Sequence, residues 1–476
     1  MGKSAKKSSL VKSLAIATVV FGLFIIIANL GGLIDKVVIK TTKINNYKIL
    51  SDYLLAQNKP LGILLLFENN SEVRHGGGFI GTVGFIDIEK GAIKPKSIRS
   101  VYYYDHKAEA PGYYEETTEG SNGEKVMNTY TLRNSGVNMD WPRNARRAAN
   151  IFEKESGMSV DMVVGITPDI LKSMLQKTGP IYLPDYRLTI TADNIMETLQ
   201  MEVESGTDKA QRDDPKSVIT SLANKLMGIL SQKSIGELYG YLPDIDRLLR
   251  ERQIVAYSKD LRVEQAIKDL GYSGGLKAFS GDYMGFSESS GSGTKTGSYI
   301  KRDLSRQTTI SDNGESLIDI TFEREHLAME NLYRYFDPEF NGYKYLVGYD
   351  QVDIKLALPK GSEIISSSGS FYLTDRENGY DIYIFGMTVQ PSEKKAFNIR
   401  YKQPYRQVMG DTFNYTSYLQ MPMGTFGVGI KDCVQVPKNY VLLASNKPNF
   451  TNSLGNVCYD ADTSSDYFLS LVYGKK

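Results

Sequence analysis

The feature that most limits what this chain can become is the run Leu14 to Leu33, about twenty residues without a charged side chain. A stretch of that length crosses the roughly 30 Å hydrocarbon core of a bilayer as one helix, because a helix satisfies its own backbone hydrogen bonds there. Lys3, Lys6, Lys7 and Lys12 precede the run, and Asp35 and Lys36 follow it. The positive-inside rule then keeps the short N-terminal tail in the cytoplasm and puts everything after Ile34 outside. A cleaved signal peptide has flanks of the same polarity, but its apolar core is usually about 7–15 residues, and no convincing small-x-small cleavage site follows this run. The expectation is a single-pass cell-membrane protein with a cytoplasmic tail over 1–13, a transmembrane helix over 14–34, a juxtamembrane stalk over 35–59 and an extracytoplasmic bulk.

That bulk is too long for a single hydrophobic core, so two or more domains are expected. The charge of the whole chain is balanced, 56 basic against 55 acidic residues. No whole-chain field therefore draws nucleic acid, no nucleic-acid partner is expected, and any anion site must be local. Two cysteines without CxxC spacing and three histidines argue against zinc. Beyond a membrane anchor the natural use of Cys433 and Cys458 is a disulfide, with two separate buried thiols as the alternative.

Along the chain, Pro60 ends the stalk and Leu61 to Phe67 reads as a strand covered on both faces. Phe79 to Ile88 and Ala92 to Tyr104 read as further strands, and His106 to Thr131 as a long polar loop. Asp140 as N-cap, Pro142 in the first turn and Gly157 at the stop frame a helix. Ala145, Ala148, Ala149 and Phe152 fall on one side of it, while Arg143, Arg146, Arg147 and Asn150 share a narrow arc opposite. Val160 to Ile166, a helix to Lys177, and Ile181 to Leu183 read as a β-α-β unit with parallel strands. Helices follow near 192–204, 215–232, 235–252 and 262–270, with a short strand at 254–257 between the last two. Residues 60–286 are thus expected to form an α/β domain. Ser287 to Gly297, SESSGSGTKTG, opens an expected linker over 287–306. From 307 to 476, short alternating runs such as SLIDITFE and GYDIYIFGMTV, broken by turn residues, predict an all-β sandwich of the immunoglobulin kind.

Glu68, Asn69, Asn70, Glu72 and Arg74 follow the first strand and precede Gly76, Gly77 and Gly78. Ligands in open α/β sheets bind at the carboxyl ends of strands, and glycines let backbone approach them closely. The pattern is neither a Walker A loop nor GxGxxG, and a polar hairpin with Glu72 and Arg74 paired on its surface is the plainer alternative. The arginine arc suits a phosphate or pyrophosphate, since guanidinium forks match that geometry. A solvated basic face is the plainer alternative there as well. No Ser/His/Asp or Cys/His nucleophile set is visible.

The run LLLFENNSEVRHGGGFIG resembles the opening motif of the bacterial envelope family DUF4012, with the pattern falling on Glu68, Asn69, Asn70, Glu72, Arg74, Gly77, Gly78, Phe79, Ile80 and Gly81. Asp140-Trp141-Pro142 with Arg146, the stretch VDMVVGITPDILKSMLQKTGPIYLP and the segment GFSESSGSGTKTGSYIKR extend the likeness. More distantly, the order of elements is similar to the LytR-CpsA-Psr family, membrane-anchored enzymes that move glycopolymers from polyprenyl pyrophosphate carriers onto the cell wall. Ser97-Ile98-Arg99 is similar to part of that family's Ser-Ile-Pro-Arg-Asp motif, whose Pro-Arg-Asp is incomplete here, and in the first motif Gly77-Gly78-Phe79 stands where that family has a second Arg-x-Asp. The resemblance implies a mixed sheet with flanking helices. Read together with the arginine arc, it assigns catalytic roles to Glu72, Arg74 and Asp105, and a diphosphate-binding set of Asn70, Arg99, Asp140, Arg143, Arg146 and Arg147. Magnesium is the cofactor it brings in, a polyprenyl-linked glycan or wall polymer the partner. A non-catalytic envelope scaffold is the competing function.

Overall fold

The computed structural model describes residues 42–55, 59–89, 92–105, 113–117, 126–205, 217–230, 232–233, 237, 240–291, 293–328, 348–453 and 455–476. The expected tail and transmembrane helix, 1–34, lie outside them, and among the described residues no helix is long and apolar enough to cross a membrane. The chain divides into two units. The first takes residues up to Asn70, Gly77–Tyr114 and Thr129–Gly275; the second takes Ser71–Gly76, Glu115–Asn128 and Leu276–Lys476.

Helices and strands alternate in the first unit: α1 (Thr42–Leu55), β1 (Leu61–Arg74), β2 (Gly77–Glu89), β3 (Ala92–Ser100) and α2 (Val101–Asp105). A small hairpin follows, of β4 (Tyr113–Thr117) and β5 (Val126–Tyr130), of which Glu115–Thr117 and Val126–Asn128 fall in the second unit; then come α3 (Trp141–Ser156), β6 (Met162–Ile166), α4 (Asp169–Thr178), β7 (Ile181–Leu183) and β8 (Leu188–Ile190). The unit closes with α5 (Ile195–Ser205), α6 (Ser217–Leu230), α7 (Leu242–Arg250), β9 (Ile254–Ser258) and α8 (Leu261–Leu270). Its main sheet has the order β3-β2-β1-β6-β9. β1 and β6 run parallel, Ile63 opposite Met162 through Phe67 opposite Ile166, and β9 lies antiparallel to β6. Leu61 to Leu66 are all buried, as a central strand covered on both faces requires.

Four expectations need correction. The strand does not stop at Phe67, because β1 runs on through the polar motif to Arg74 and turns at His75-Gly76 into β2. Gly78 makes that pairing possible: a Cβ there would sit 2.4 Å from the Asn69 carbonyl oxygen. The expected β-α-β crossover is absent, because β7 pairs with β8 in a separate hairpin rather than joining β6 in the main sheet. A 3-10 turn at Pro184–Tyr186, ending on Arg187 at φ 54, folds the chain straight back. The described part of the stalk is no spacer, since α1 buries Leu50 and Leu54 in the first unit's core and Tyr47 shares a hydroxyl hydrogen bond of 2.7 Å with Tyr272. Finally, the expected loop from His106 to Thr131 contains β4 and β5; residues 106–112 and 118–125 lie outside the described residues.

In the second unit two seven-stranded sheets enclose one apolar core. Its strands are β10 (Asp282–Ser290), β11 (Ile300–Ile310), β12 (Glu315–His326), β13 (Asp350–Pro359), β14 (Glu363–Ser367), β15 (Tyr372–Glu377) and β16 (Tyr380–Val389). They continue with β17 (Lys394–Arg406), β18 (Thr412–Gln420), β19 (Val428–Gln435), β20 (Tyr440–Ser445), β21 (Thr451–Ser453), β22 (Asn456–Thr463) and β23 (Tyr467–Lys475). One sheet is ordered β15-β16-β13-β10-β18-β23-β20 and the other β14-β17-β12-β11-β19-β22-β21. Strict alternation of burial along β12 is the period-2 pattern expected of strands with one face in a core. Each sheet alone has as many strands as a whole immunoglobulin constant domain, and each contains a parallel pair, β10 with β18 and β11 with β19. The sandwich is therefore larger and differently wound than the immunoglobulin pattern. Cys433 and Cys458 face each other across β19 and β22 and are joined by a disulfide.

The expected linker over 287–306 is also corrected. Its serines and glycines hide a structural strand, β10, in which Ser287, Glu288 and Ser290 are buried. Glu288 accepts from Arg302 Nε at 2.8 Å and also pairs with Arg324, which in turn meets Asp350 at 2.7 Å. Two buried carboxylates are thereby balanced by two buried guanidinium groups, which is what permits charge in a sandwich interior.

Candidate functional site at the carboxyl ends of the parallel strands

Beyond Phe67 in β1 and Ile166 in β6 the first unit changes from apolar to polar, and because β9 is antiparallel its start, at Gln253, lies at the same edge. Asn70 Nδ2 donates to Asp169 Oδ2 at 2.8 Å, tying β1 to the first turn of α4. Thr167 Oγ1 donates to Gln253 Oε1 at 2.6 Å, and its amide donates to the Gln253 carbonyl at 3.0 Å. Glu68 is 3% exposed. One of its oxygens accepts from the Gly78 amide at 3.1 Å and the other from Trp141 Nε1 at 3.3 Å.

Trp141 reaches Glu68 because α3 starts there. Asp140 is the N-cap, Pro142 stands in the first turn, and Gly157 ends the helix at φ 73 with its amide on the Glu153 carbonyl. Gly274, at φ 65, lets the chain pass under the indole: a Cβ there would lie 3.0 Å from Trp141 Cβ. Burial raises the Glu68 carboxyl to about 8, although its two donors oppose the shift. This carboxyl thus exchanges its proton near neutrality just beyond the parallel pairing of β1 with β6, the combination that acid–base chemistry or proton-linked binding requires.

The residues expected from sequence separate into different tasks. Asn70, Arg99, Asp105, Asp140, Arg143, Arg146 and Arg147 belong to the first unit, Glu72 and Arg74 to the second. Arg74 pairs with Glu72 at 2.8 Å and donates to the carbonyl of Ser290 at 3.1 Å. Next to it, His75 Nδ1 meets Ser287 Oγ at 3.0 Å, and burial holds this imidazole well below its usual range, with Lys355 and Arg74 adding to the effect. Val73 joins the sandwich core. Asp105 accepts from the amides of Leu132 and Arg133 at 2.8 and 3.4 Å, so it caps the short turn Leu132–Asn134.

The arginine arc is not one surface. Arg146 is exposed and Arg143 half-buried, but Arg147 is 1% exposed. Arg147 donates to the Ser135 carbonyl and to Asn138 Oδ1, both at 2.7 Å, and lies 4.1 Å over the Tyr130 ring. Helical geometry alone placed it with Arg143 and Arg146; the loop 135–138, folded back on α3, claims it instead. Arg99 is exposed and stacks 4.2 Å over Tyr103. Among the described residues no three His, Cys, Asp or Glu side chains converge as a metal set. Sequence reasoning gave Glu68 no role of its own and missed Asp169 and Gln253. A carboxylate directly after an all-apolar strand was the available signal for Glu68; no local signal marks the other two.

No curated protein matches the sequence. Solved structures similar to parts of the chain include the Legionella pneumophila protein lpg2210, at 12% identity over 37% of this chain and 67% of that one, TM-score 0.24. The Lin1025 protein of Listeria innocua matches at 15% identity over 46% and 80% of the two chains, TM-score 0.21. An M1 zinc metallopeptidase of Deinococcus radiodurans matches at 10% identity over 37% and 42%, TM-score 0.20. At such scores these likenesses carry no argument. Residues 58–203, a stretch that holds Glu68, Asn70, Trp141 and Asp169, match the model of the family described as "Protein of unknown function (DUF4012)".

Proposed function

We propose that this chain is a membrane-anchored cell-envelope protein whose first unit binds a phosphorylated, lipid-linked glycan or wall polymer, with the second unit as a scaffold for other envelope components. The observation that supports the reading is the placement of Arg146, exposed, and Arg143, half-buried, on the first two turns of α3, whose N-terminus adds favourable partial charge for an anion. If the protein also transfers its ligand in the manner of the LytR-CpsA-Psr enzymes, Glu68 is the better acid–base candidate than Glu72. It belongs to the same unit as the arginines and titrates near neutrality, whereas Glu72 is engaged by Arg74. A purely non-catalytic scaffold is favoured by the internal use of Glu72, Arg74 and Asp105.

Calorimetric titration of the detergent-solubilised full chain with a short-chain polyprenyl pyrophosphate tests the proposal. Arg146→Glu should weaken binding at least tenfold, about 1.4 kcal/mol, while Trp141 fluorescence stays that of the folded protein. Equal affinity for both proteins would discard the site and leave the scaffold reading.

A further inference from the structure

The direction in which helices feed the first unit's parallel strands fixes the end of the sheet from which the expected anchor leaves. α3 starts at the strands' carboxyl ends, where Trp141 meets Glu68, and finishes at their amino ends, where Glu153 accepts from the Val160 amide at 2.7 Å. α1, which feeds β1, runs the same way. Near its start Asn46 Nδ2 donates to Asp269 Oδ2 of α8 at 3.4 Å, and the Tyr47 and Tyr272 hydroxyls share their bond of 2.7 Å. Five residues separate its last, Leu55, from Leu61 at the amino end of β1.

Tyr272 marks the height. Its carbonyl accepts from the Ala256 amide at 2.9 Å, and Ala256 lies opposite Val164 in mid-sheet. From Tyr47 back to Thr42 is five helical residues, about 7.5 Å, and from Val164 to Ile166, where the parallel pairing ends, is about 6.6 Å. Thr42 therefore stands about level with Phe67 and Ile166, at the end of the sheet that carries Glu68, Asn70 and Asp169.

Eight residue steps join Ile34, the last of the expected transmembrane helix, to Thr42, and they reach at most about 29 Å. With the carboxyl ends of the strands toward the bilayer this tether needs no stretching. The reverse orientation lifts Thr42 by at least the length of Leu61 to Phe67, about 20 Å, and holds the tether near full extension at a cost in conformational entropy. Arg146 on α3 and Lys172 in the first turn of α4, both exposed, stand at this same end, where cations suit anionic lipid headgroups.

We propose that the carboxyl-end face of the first unit is its membrane-facing surface, turned toward the outer leaflet of the bilayer in which the chain is anchored. The inference rests on the membrane-anchor reading above and adds the source of the ligand. A lipid-linked phosphate in that leaflet presents its headgroup to Arg146 while its hydrocarbon stays in the bilayer.

The full chain reconstituted in phosphatidylglycerol–phosphatidylethanolamine vesicles with a dansyl headgroup lipid tests this. Trp141, the sole tryptophan, is an energy donor at the carboxyl end; Trp141→Phe combined with Lys154→Trp moves the donor about 20 Å along α3 toward the amino end. In vesicles recovered by flotation, transfer to the headgroups should be about twofold greater, or more, from Trp141 across that separation. Equal or weaker transfer from Trp141 overturns the proposal and leaves the anchor standing. Protein that does not float with the vesicles overturns the anchor reading and the proposal together. Lys154→Trp alone keeps the test open if the double exchange does not fold: the added indole should lower the mean transfer efficiency, and an unchanged or raised value overturns the proposal.

Discussion

Replacing Glu68 by glutamine changes one heavy atom and removes the titration of one buried carboxyl of the first unit. An unfolded glutamate releases its proton near 4.5, whereas the folded one holds it to about 8. Between those values the folded state binds more protons than the unfolded one, so stability falls as pH rises, by about 1.4 kcal/mol per pH unit. Over the full span this comes to roughly 5 kcal/mol, fully lost above about pH 8. Glutamine pays no such penalty, but its amide nitrogen must oppose either the Gly78 N–H or the Trp141 N–H, at a cost of about 1–3 kcal/mol at every pH. Wild type should therefore be the more stable protein in acid and the variant in alkali, with the curves crossing between about pH 5 and 7. Trp141 is the sole tryptophan and touches Glu68, so its fluorescence reports unfolding of this unit. Urea titrations from pH 5 to 9 provide the comparison. Parallel profiles for the two proteins would refute the near-neutral titration, and with it the acid–base role offered for Glu68.

Two further outcomes follow from the geometry. Arg147→Ala should destabilise the first unit by about 2–4 kcal/mol, because it strips donors from the Ser135 carbonyl and Asn138, whereas Arg146→Ala should stay within about 0.5 kcal/mol; urea unfolding followed by Trp141 separates them. Reduction of the Cys433–Cys458 disulfide, whose ends are 25 residues apart, should cost the second unit about 3.5 kcal/mol by the chain-entropy estimate, read as a lower denaturation midpoint in the tyrosine signal with the Trp141 transition unmoved.

The primary sequence was enough to specify what depends on neighbours along the chain. The apolar run of β1, the cap, proline and glycine of α3 with its alanine and phenylalanine face, and the alternation along β12 are local patterns with local causes. They yield an α/β region followed by a sheet-rich one, and a motif that resembles a known family's. Tertiary structure alone decided which polar groups stay available. A helical projection places Arg147 beside Arg146, but whether a guanidinium meets solvent or a carbonyl depends on a loop that folds over it. Likewise SESSGSGTKTG reads as a linker because serine and glycine have no burial preference strong enough to announce a strand; Glu288 within it becomes legible only once Arg302 and Arg324 arrive from other strands. Glu68 is the clearest case. Its place after an apolar run is written in the sequence, but its shifted proton affinity comes from burial against Gly78 and Trp141, and burial is a property of the assembled fold.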